Sequence, residues 1–324
     1  MNVFLTTAYL PGAAFESLSN CVARDRFQIH QLAREPNSAD IILFVENAQS
    51  KSDPYYNVLL SHPLVRGNPE RVFMYNETDF PWCVLPGIYC SMPRRGFTYL
   101  RQRAYCYLYS VNENVRPSSN EEADILYSFV GAQTHKCRRK ILKLHDERAV
   151  LEDTSKFSIW TETSKEEMRR RKESYSRIMQ RSKFILCPRG NGTSSYRLFE
   201  TMQAGRAPVV ISDQWVAPDG PEWERFLLRI PEARIYEIGK VVRQHEHEYL
   251  ERGQLALQAW DEWFSPAVRF HRVVEACAAI LRDRRIPERF ARLVPAPELR
   301  VFRAKRGLYL AKKWLGNALG CDRS

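Results

Sequence analysis

Apolar runs of three to six residues recur along the first two thirds of this chain, and they constrain its fold more than any other feature. Val3-Phe4-Leu5, Ile41-Ile42-Leu43-Phe44-Val45, Val72-Phe73-Met74-Tyr75, Ile125 to Val130, Phe184-Ile185-Leu186 and Pro208-Val209-Val210-Ile211 show little polar alternation. Strands of that kind are buried on both faces, as in a parallel sheet covered by helices. Helix-patterned segments fall between them. Tyr55 to Ser61 reads as a short helix and His135 to Leu144 as another. Lys165 to Arg181 is a charged helix with Met168, Tyr175, Ile178 and Met179 facing inward. Phe80 to Gly96 holds too many prolines and glycines for regular structure. The rhythm stops at Val115-Arg116-Pro117-Ser118-Ser119-Asn120 and then restarts. Glu246–Trp263 and Ala267–Arg284 read as helices, with more helix from Pro221–Trp223 onward. The expectation is α/β, with two Rossmann-like domains facing a cleft: residues 1–115, residues 116–285, and a helical tail over 286–324.

Charge is distributed unevenly. From Arg282 to Ser324 there are 12 lysines and arginines against 4 acids, which accounts for most of the net +11. A basic tail on a nearly neutral body argues against a nucleic-acid-binding protein. Residues 301–319 mix lysine and arginine with Phe302, Leu308, Tyr309, Leu310, Trp314 and Leu315. That pattern suits a helix lying at a membrane surface, and equally a C-terminal helix docked on the first domain. The eight cysteines form no CxxC pair, and MNVFLTTAYLPGAAFES lacks the basic start and long apolar run of a leader. A reducing, cytoplasmic location is expected, with peripheral contact at the inner membrane face as an option. His245-Glu246-His247-Glu248 resembles a metal cluster only superficially. Helical histidine ligands stand four apart, so this stretch reads as a solvated face.

The chemistry concentrates in CPRGNGTSSYRLFE, Cys187 to Glu200, between one apolar run and a helix-like segment. Gly190 and Gly192 let backbone approach a ligand. Thr193, Ser194 and Ser195 offer hydroxyls and helix caps. A helix N-terminus with free N–H groups favours an anion, and Arg189 and Arg197 add forked donors suited to phosphate. Glu200, about a turn and a half into the helix, is placed to accept ribose hydroxyls. The stretch lacks the third glycine of a dinucleotide fingerprint and the Lys-Ser/Thr of a P-loop.

Ser182 to Gly220, SKFILCPRGNGTSSYRLFETMQAGRAPVVISDQWVAPDG, resembles the signature region of exostosin-family glycosyltransferases. The matching elements are Cys187-Pro188-Arg189-Gly190; Ser195, Arg197 and Glu200; Ala204, Pro208 and Val209; and Ser212, Trp215 and Pro218. Phe129-Val130-Gly131-Ala132 followed by Arg138-Arg139 is similar to the element that opens the same domain. The resemblance covers about 150 residues from Asp124 and departs at Gly205-Arg206-Ala207, where Arg206 reads as solvent-facing. It implies a GT-B enzyme that transfers a sugar, with inversion, from a UDP-sugar to a glycan, polysaccharide or lipid-linked glycan acceptor. Arg189, Ser194, Ser195 and Arg197 would surround the diphosphate and Glu200 would hold the ribose. Arg138 and Arg139 remain alternative phosphate ligands. No Asp-x-Asp occurs in the chain, so metal-independent transfer is expected. The base should come from the first domain: Glu77 or Asp79 after one strand, ahead of Glu46 after another. Each of these acids also suits a capping role. A non-catalytic nucleotide-sugar-binding or assembly subunit is the alternative reading. A membrane- or polymer-binding protein acting through its tail is a further one.

Overall fold

The computed structural model describes residues 1–46, 52–109, 112–117, 123–156, 164–291 and 297–318. The expected linker, 115–120, therefore lies partly outside the described residues.

Two parallel sheets form. The first contains β1 (Asn2–Thr6), β2 (Gln31–Leu32), β3 (Ile41–Glu46), β4 (Val72–Asn76), β5 (Gly87–Tyr89) and β6 (Gln102–Arg103), in the order β2-β1-β3-β4-β5-β6. The second contains β7 (Ile125–Gly131), β8 (Ala149–Asp153), β9 (Ser182–Pro188), β10 (Ala207–Ile211) and β11 (Leu228–Arg229), in the order β11-β10-β9-β7-β8. Every pairing is parallel. This is a two-domain, Rossmann-like α/β architecture. β3 and β4 are buried along their whole length, as their unbroken apolar runs require.

Helices cover the sheets: α1 (Ala13–Val22), α2 (Asn57–Ser61), α3 (Pro63–Gly67), α4 (Lys136–Ile141), α5 (Lys165–Arg181), α6 (Tyr196–Gln203), α7 (Ile238–Gln244), α8 (Tyr249–Trp263), α9 (Arg269–Asp283), α10 (Glu288–Ala291) and α11 (Pro297–Ala318). The α9 segment, assigned above to residues 116–285, packs instead on α1, β5 and β6 of the first sheet. The chain crosses back before residue 285 because α9 carries an apolar face, including Phe270, Val273, Val274, Cys277 and Ile280, that closes the first core.

Several expectations need correction. Phe80–Gly96 is not wholly irregular: β5 lies within it, paired on both edges. Gly87 makes this possible, since a Cβ there would lie 2.0 Å from the Met74 carbonyl oxygen. β8 had no distinct apolar run because it is an edge strand with only β7 beside it. Arg206 does not face solvent. It is buried and donates to the Gln180 carbonyl, and burial lowers its pKa. The 245–248 stretch is an ion-pair knot. Glu246 binds Lys183 at 2.8 Å and Arg148, which hold its carboxyl down at about 2, and Glu248 binds His245 at 3.0 Å.

Helix α11 is docked on the first domain. Phe302 is buried against Tyr55 and Trp82, with ring centroids 5.9 and 5.2 Å away, and Arg306 donates to Asn57 at 2.7 Å. Val301, Leu308 and Leu310 remain exposed. Among the described residues, no helix is long and apolar enough to cross a membrane.

Gly253, inside α8, lies against the turn between α6 and β10, where a Cβ would come 2.3 Å from the Gly205 carbonyl oxygen. Exchanging a helical glycine for alanine normally stabilises by about 0.5–1 kcal/mol. Here the clash with backbone outweighs that gain. Gly253→Ala is expected to destabilise by about 1–3 kcal/mol in urea unfolding. A neutral or stabilised variant would show that α8 does not seat this closely.

Candidate functional site

The Cys187–Glu200 stretch lies where a parallel sheet presents ligands, at the carboxyl end of β9 and the start of α6. Gly190 and Gly192 are needed there for space rather than for a left-handed backbone. A Cβ on Gly190 would lie 3.1 Å from Arg138 Nη2 and 3.2 Å from Thr134 Oγ1. On Gly192 it would lie 2.5 Å from Ser91 Oγ and 2.7 Å from Asp79 Oδ1. Gly192 therefore sits where the two domains touch. Ser195 precedes α6 in extended conformation, and no side chain caps the helix. Leu198 N turns back to the Ser195 carbonyl at 3.2 Å, which leaves the Tyr196 and Arg197 N–H groups available to an anion. Ser194 is buried beside them, and its hydroxyl has no protein partner.

Three guanidiniums converge on this loop. Arg138 donates to the carbonyls of Arg189 at 2.9 Å, Pro188 at 3.2 Å and Ala132 at 3.3 Å. Burial and the neighbouring Arg197 push its pKa down to about 10. Arg189 curls onto the Asn191 and Gly190 carbonyls at 3.1 and 3.4 Å. Arg197 lies one layer deeper. It donates to the Val130 carbonyl and sits 4.7 Å from the centre of the Phe129 ring. Glu200 accepts from the Tyr175 hydroxyl at 2.7 Å; burial raises its pKa while Tyr175 and Arg197 oppose the rise. Of the two alternatives on α4, Arg138 reaches the loop, whereas Arg139 is exposed.

The three acids fare differently. Glu46 is buried and accepts from Ala8 N at 2.7 Å and Thr7 Oγ1 at 3.0 Å, so it braces the turn after β1. Burial pushes its carboxyl up to about 7. Glu77 is buried beneath the surface and accepts from Leu108 N, and its carboxyl also rises to about 7. Asp79 lies at the cleft with Oδ1 against Gly192, where a Cβ would come within 2.7 Å of it, and the Gly192 backbone and Asn191 side chain favour its ionised form. The surrounding walls raise its pKa, against the pull of Arg138 and Arg189. Of the three candidate bases, Asp79 is the one brought to the loop.

Two further residues at this junction, Ser91 and Tyr107, carried no signal in the sequence. Thr193 Oγ1 donates across the cleft to the Ser91 carbonyl at 2.9 Å, and its own carbonyl accepts from Ser212 Oγ at 2.8 Å. Tyr107 stacks on Tyr196, with centroids 3.9 Å apart, and its hydroxyl lies 2.7 Å from Ser91 Oγ. Only spatial proximity reveals them, since Ser91 and Tyr107 stand about a hundred residues from the loop.

A model of the Exostosin GT47 domain matches residues 105–245, which hold this loop, Arg138 and the second sheet. Residues 105–245 are thus similar to an exostosin GT47 domain. The matched range starts at Tyr105, upstream of the expected linker, and so includes the Tyr107 that stacks on α6. Exostosin-1 of Drosophila melanogaster is 28% identical over 113 residues, 34% of this chain and 14% of that protein. The Exostosin-1 homolog of Caenorhabditis elegans is 40% identical over 68 residues, 18% of each. The chain thus covers less than a fifth of the length of these relatives. Among solved structures, Anabaena HepE in complex with UDP aligns over 86% of this chain and 99% of that one, at 10% identity and a TM-score of 0.41. The lipopolysaccharide-biosynthesis glycosyltransferase WaaG aligns over 87% and 99%, at 12% identity and a TM-score of 0.38. At these scores the likeness says nothing about chemistry.

The buried Glu77, just past β4, has a pH signature. Its folded pKa, about 7, lies above the ordinary 4.5. The folded state therefore holds the extra proton between those values. Its contribution to stability is complete below about pH 4.5 and is lost as pH rises through 7. Glu77→Gln can keep the bond from Leu108 N through its amide oxygen and removes the titration. Relative to wild type, the variant's stability should rise as pH goes from 5 to 8, read by urea unfolding at each pH. A constant difference across that range would show that Glu77 is already ionised at pH 5.

Proposed function

We propose that this protein is an inverting glycosyltransferase that moves a sugar from a UDP-sugar to a hydroxyl of a glycan or lipid-linked glycan acceptor. The single observation that carries the reading is the close approach of Asp79, on the first domain, to Gly192 in the exostosin-type loop of the second, where a Cβ would lie 2.7 Å from Asp79 Oδ1. It brings an acid and a diphosphate cradle together across one cleft.

On this reading the uncapped amides of α6, the Ser194 and Ser195 hydroxyls, Arg138 and Arg189 receive the diphosphate. Arg197 supports them from beneath, and Glu200 holds the ribose. Donor entry separates Asp79 from Gly192 and Thr193 from Ser91. The acceptor oxygen then attacks the anomeric carbon, and the bond from that carbon to the phosphate oxygen breaks. The nucleoside diphosphate leaves with the electron pair, and Asp79 takes the acceptor proton. The guanidiniums and the helix dipole offset the charge that develops on the leaving group. With those cations in place we expect transfer without a divalent metal; turnover that depends strictly on added manganese would overturn this. The exposed Val301, Leu308 and Leu310 on the basic α11 support contact with the cytoplasmic face of a membrane, where a lipid-linked acceptor would lie.

Calorimetry with UDP, GDP and ADP tests the donor. UDP should bind, and Arg138→Ala should weaken it about tenfold or more, as expected for a charge-assisted contact. Arg139→Ala should leave it unchanged. Asp79→Asn should keep UDP affinity within a few-fold yet lower turnover by about 10²–10⁴. UDP binding without turnover on any acceptor would favour a non-catalytic binding subunit. Failure of a folded protein to bind any of the three nucleotides would overturn the donor assignment.

A further inference from the structure

A second cluster lies at the amino end of the first sheet, away from the cleft. His271 and Glu275 stand four apart on α9, the spacing that brings two side chains onto one helix face and that the 245–248 stretch lacks. His30, just before β2, faces them. One ligand atom from each of the three lies within 4.8 Å of the other two. His30 Nε2 is 3.2 Å from Glu275 Oε1, close to the edge of about 3.3 Å expected between ligands of a tetrahedral zinc ion.

Both histidines are buried, at 6% and 9% exposure; His271 Nδ1 has no hydrogen-bond partner, and His30 Nε2, though 3.2 Å from Glu275 Oε1, is not aligned to hydrogen-bond it. Buried polar atoms rarely stay unsatisfied. The other His30 nitrogen, Nδ1, lies 3.3 Å from the Met1 nitrogen, so Nε2 is the one turned toward Glu275. Asp25, 3% exposed and with one unpartnered carboxylate oxygen, adds a further negative charge near both imidazoles.

We propose that His30, His271 and Glu275 form a zinc-binding site that clasps α9 to the β1–β2 edge of the first sheet. Two imidazoles and a carboxylate are a donor set suited to zinc, with water at the fourth position. The two rings stack at 5.0 Å and 19°, and His271 also stacks on Phe27 at 4.1 Å. For both lone pairs to converge on one ion, the rings must tilt out of that stack. Zinc would then join residues about 240 apart in sequence, across the point where the chain returns to its first domain. This inference does not depend on the glycosyltransferase reading.

The test uses the full chain, stripped with chelator and dialysed against zinc alone, with metal measured by mass spectrometry. One zinc per chain is expected, with an upward shift in Tm. Both should be lost in His30→Gln and in Glu275→Gln, each checked for folding by circular dichroism and for UDP affinity by calorimetry. Cobalt in place of zinc should give the visible bands of a tetrahedral nitrogen–oxygen site without thiolate charge transfer. Binding that survives both substitutions, or that shows thiolate bands, would assign the metal to cysteines and overturn the proposal. Absence of zinc binding by wild type would overturn it as well, and normal UDP affinity in that protein would leave the donor site standing.

Discussion

Leu108 is held at both ends of its peptide unit, and the relation between the two sheets depends on that grip. Its N–H donates to the buried Glu77 carboxyl at the end of β4. Its carbonyl accepts from the buried Arg269 guanidinium at 3.1 Å and from Ser17 at 2.6 Å. Arg269 also donates twice to the Phe264 carbonyl, at 3.0 and 3.2 Å, so α9, the end of α8 and the Tyr105–Leu108 segment meet at one guanidinium. Buried ionisable groups are tolerated only when their hydrogen-bonding capacity is used, and removal of one partner leaves the other costly. The grip therefore sets where Tyr107 stands, and Tyr107 stacks on the first residue of α6. An acid that looked like a catalytic base in the sequence is in this way committed to positioning α6.

The junction between the domains has two unlike sides. On the closed side the cores merge: Tyr105, Cys106 and Ile88 belong to the same apolar cluster as Leu198, Trp215, Trp223 and Phe264. On the cleft side the domains meet through polar contacts, Thr193 with Ser91, Arg94 with the Gln214 and Trp215 carbonyls, and Asp79 with the loop. Such hydrogen bonds are individually worth about 1 kcal/mol, because water replaces them on opening. Separating the merged core would instead expose several aromatic side chains, at a cost of about 1.5–3 kcal/mol each. A motion that admits a ligand therefore has a natural direction, breaking the polar rim while the aromatic side holds.

How much could be read in advance follows from the same physics. β3, β4, β9 and β10 were legible because a strand buried on both faces has nowhere to place a polar residue. β5 was not, since its three residues sit among prolines and take their structure from β4 and β6 rather than from their own pattern. The Cys187–Glu200 loop stood out from local composition, whereas the choice among Glu46, Glu77 and Asp79 was not legible. All three follow strand ends, and only tertiary packing separates two bracing carboxyls from one that faces the loop. Arg206 was misread because a charged residue in a turn suggests solvent, yet the carbonyl of Gln180 receives it in the interior. The His271–Glu275 spacing was visible, but its third member lies about 240 residues away.

The electrostatics of the loop tie these strands of reasoning together. Arg138, Arg189 and Arg197 crowd a few residues of chain, and each is presently held by backbone carbonyls rather than by carboxylates. Asp79 is the acid whose field reaches Arg138 there, so the site carries surplus positive charge. A diphosphate would exchange the carbonyl contacts for charge-assisted ones, which are roughly twice as strong. It would also cancel the cationic field that now lowers the Asp79 pKa, leaving the raising effect of burial to dominate. On the proposed reading, donor binding therefore makes Asp79 a stronger base at the moment an acceptor proton must be taken. The same guanidiniums that hold the donor would then hold Asp79 in its weakly basic state whenever the donor is absent.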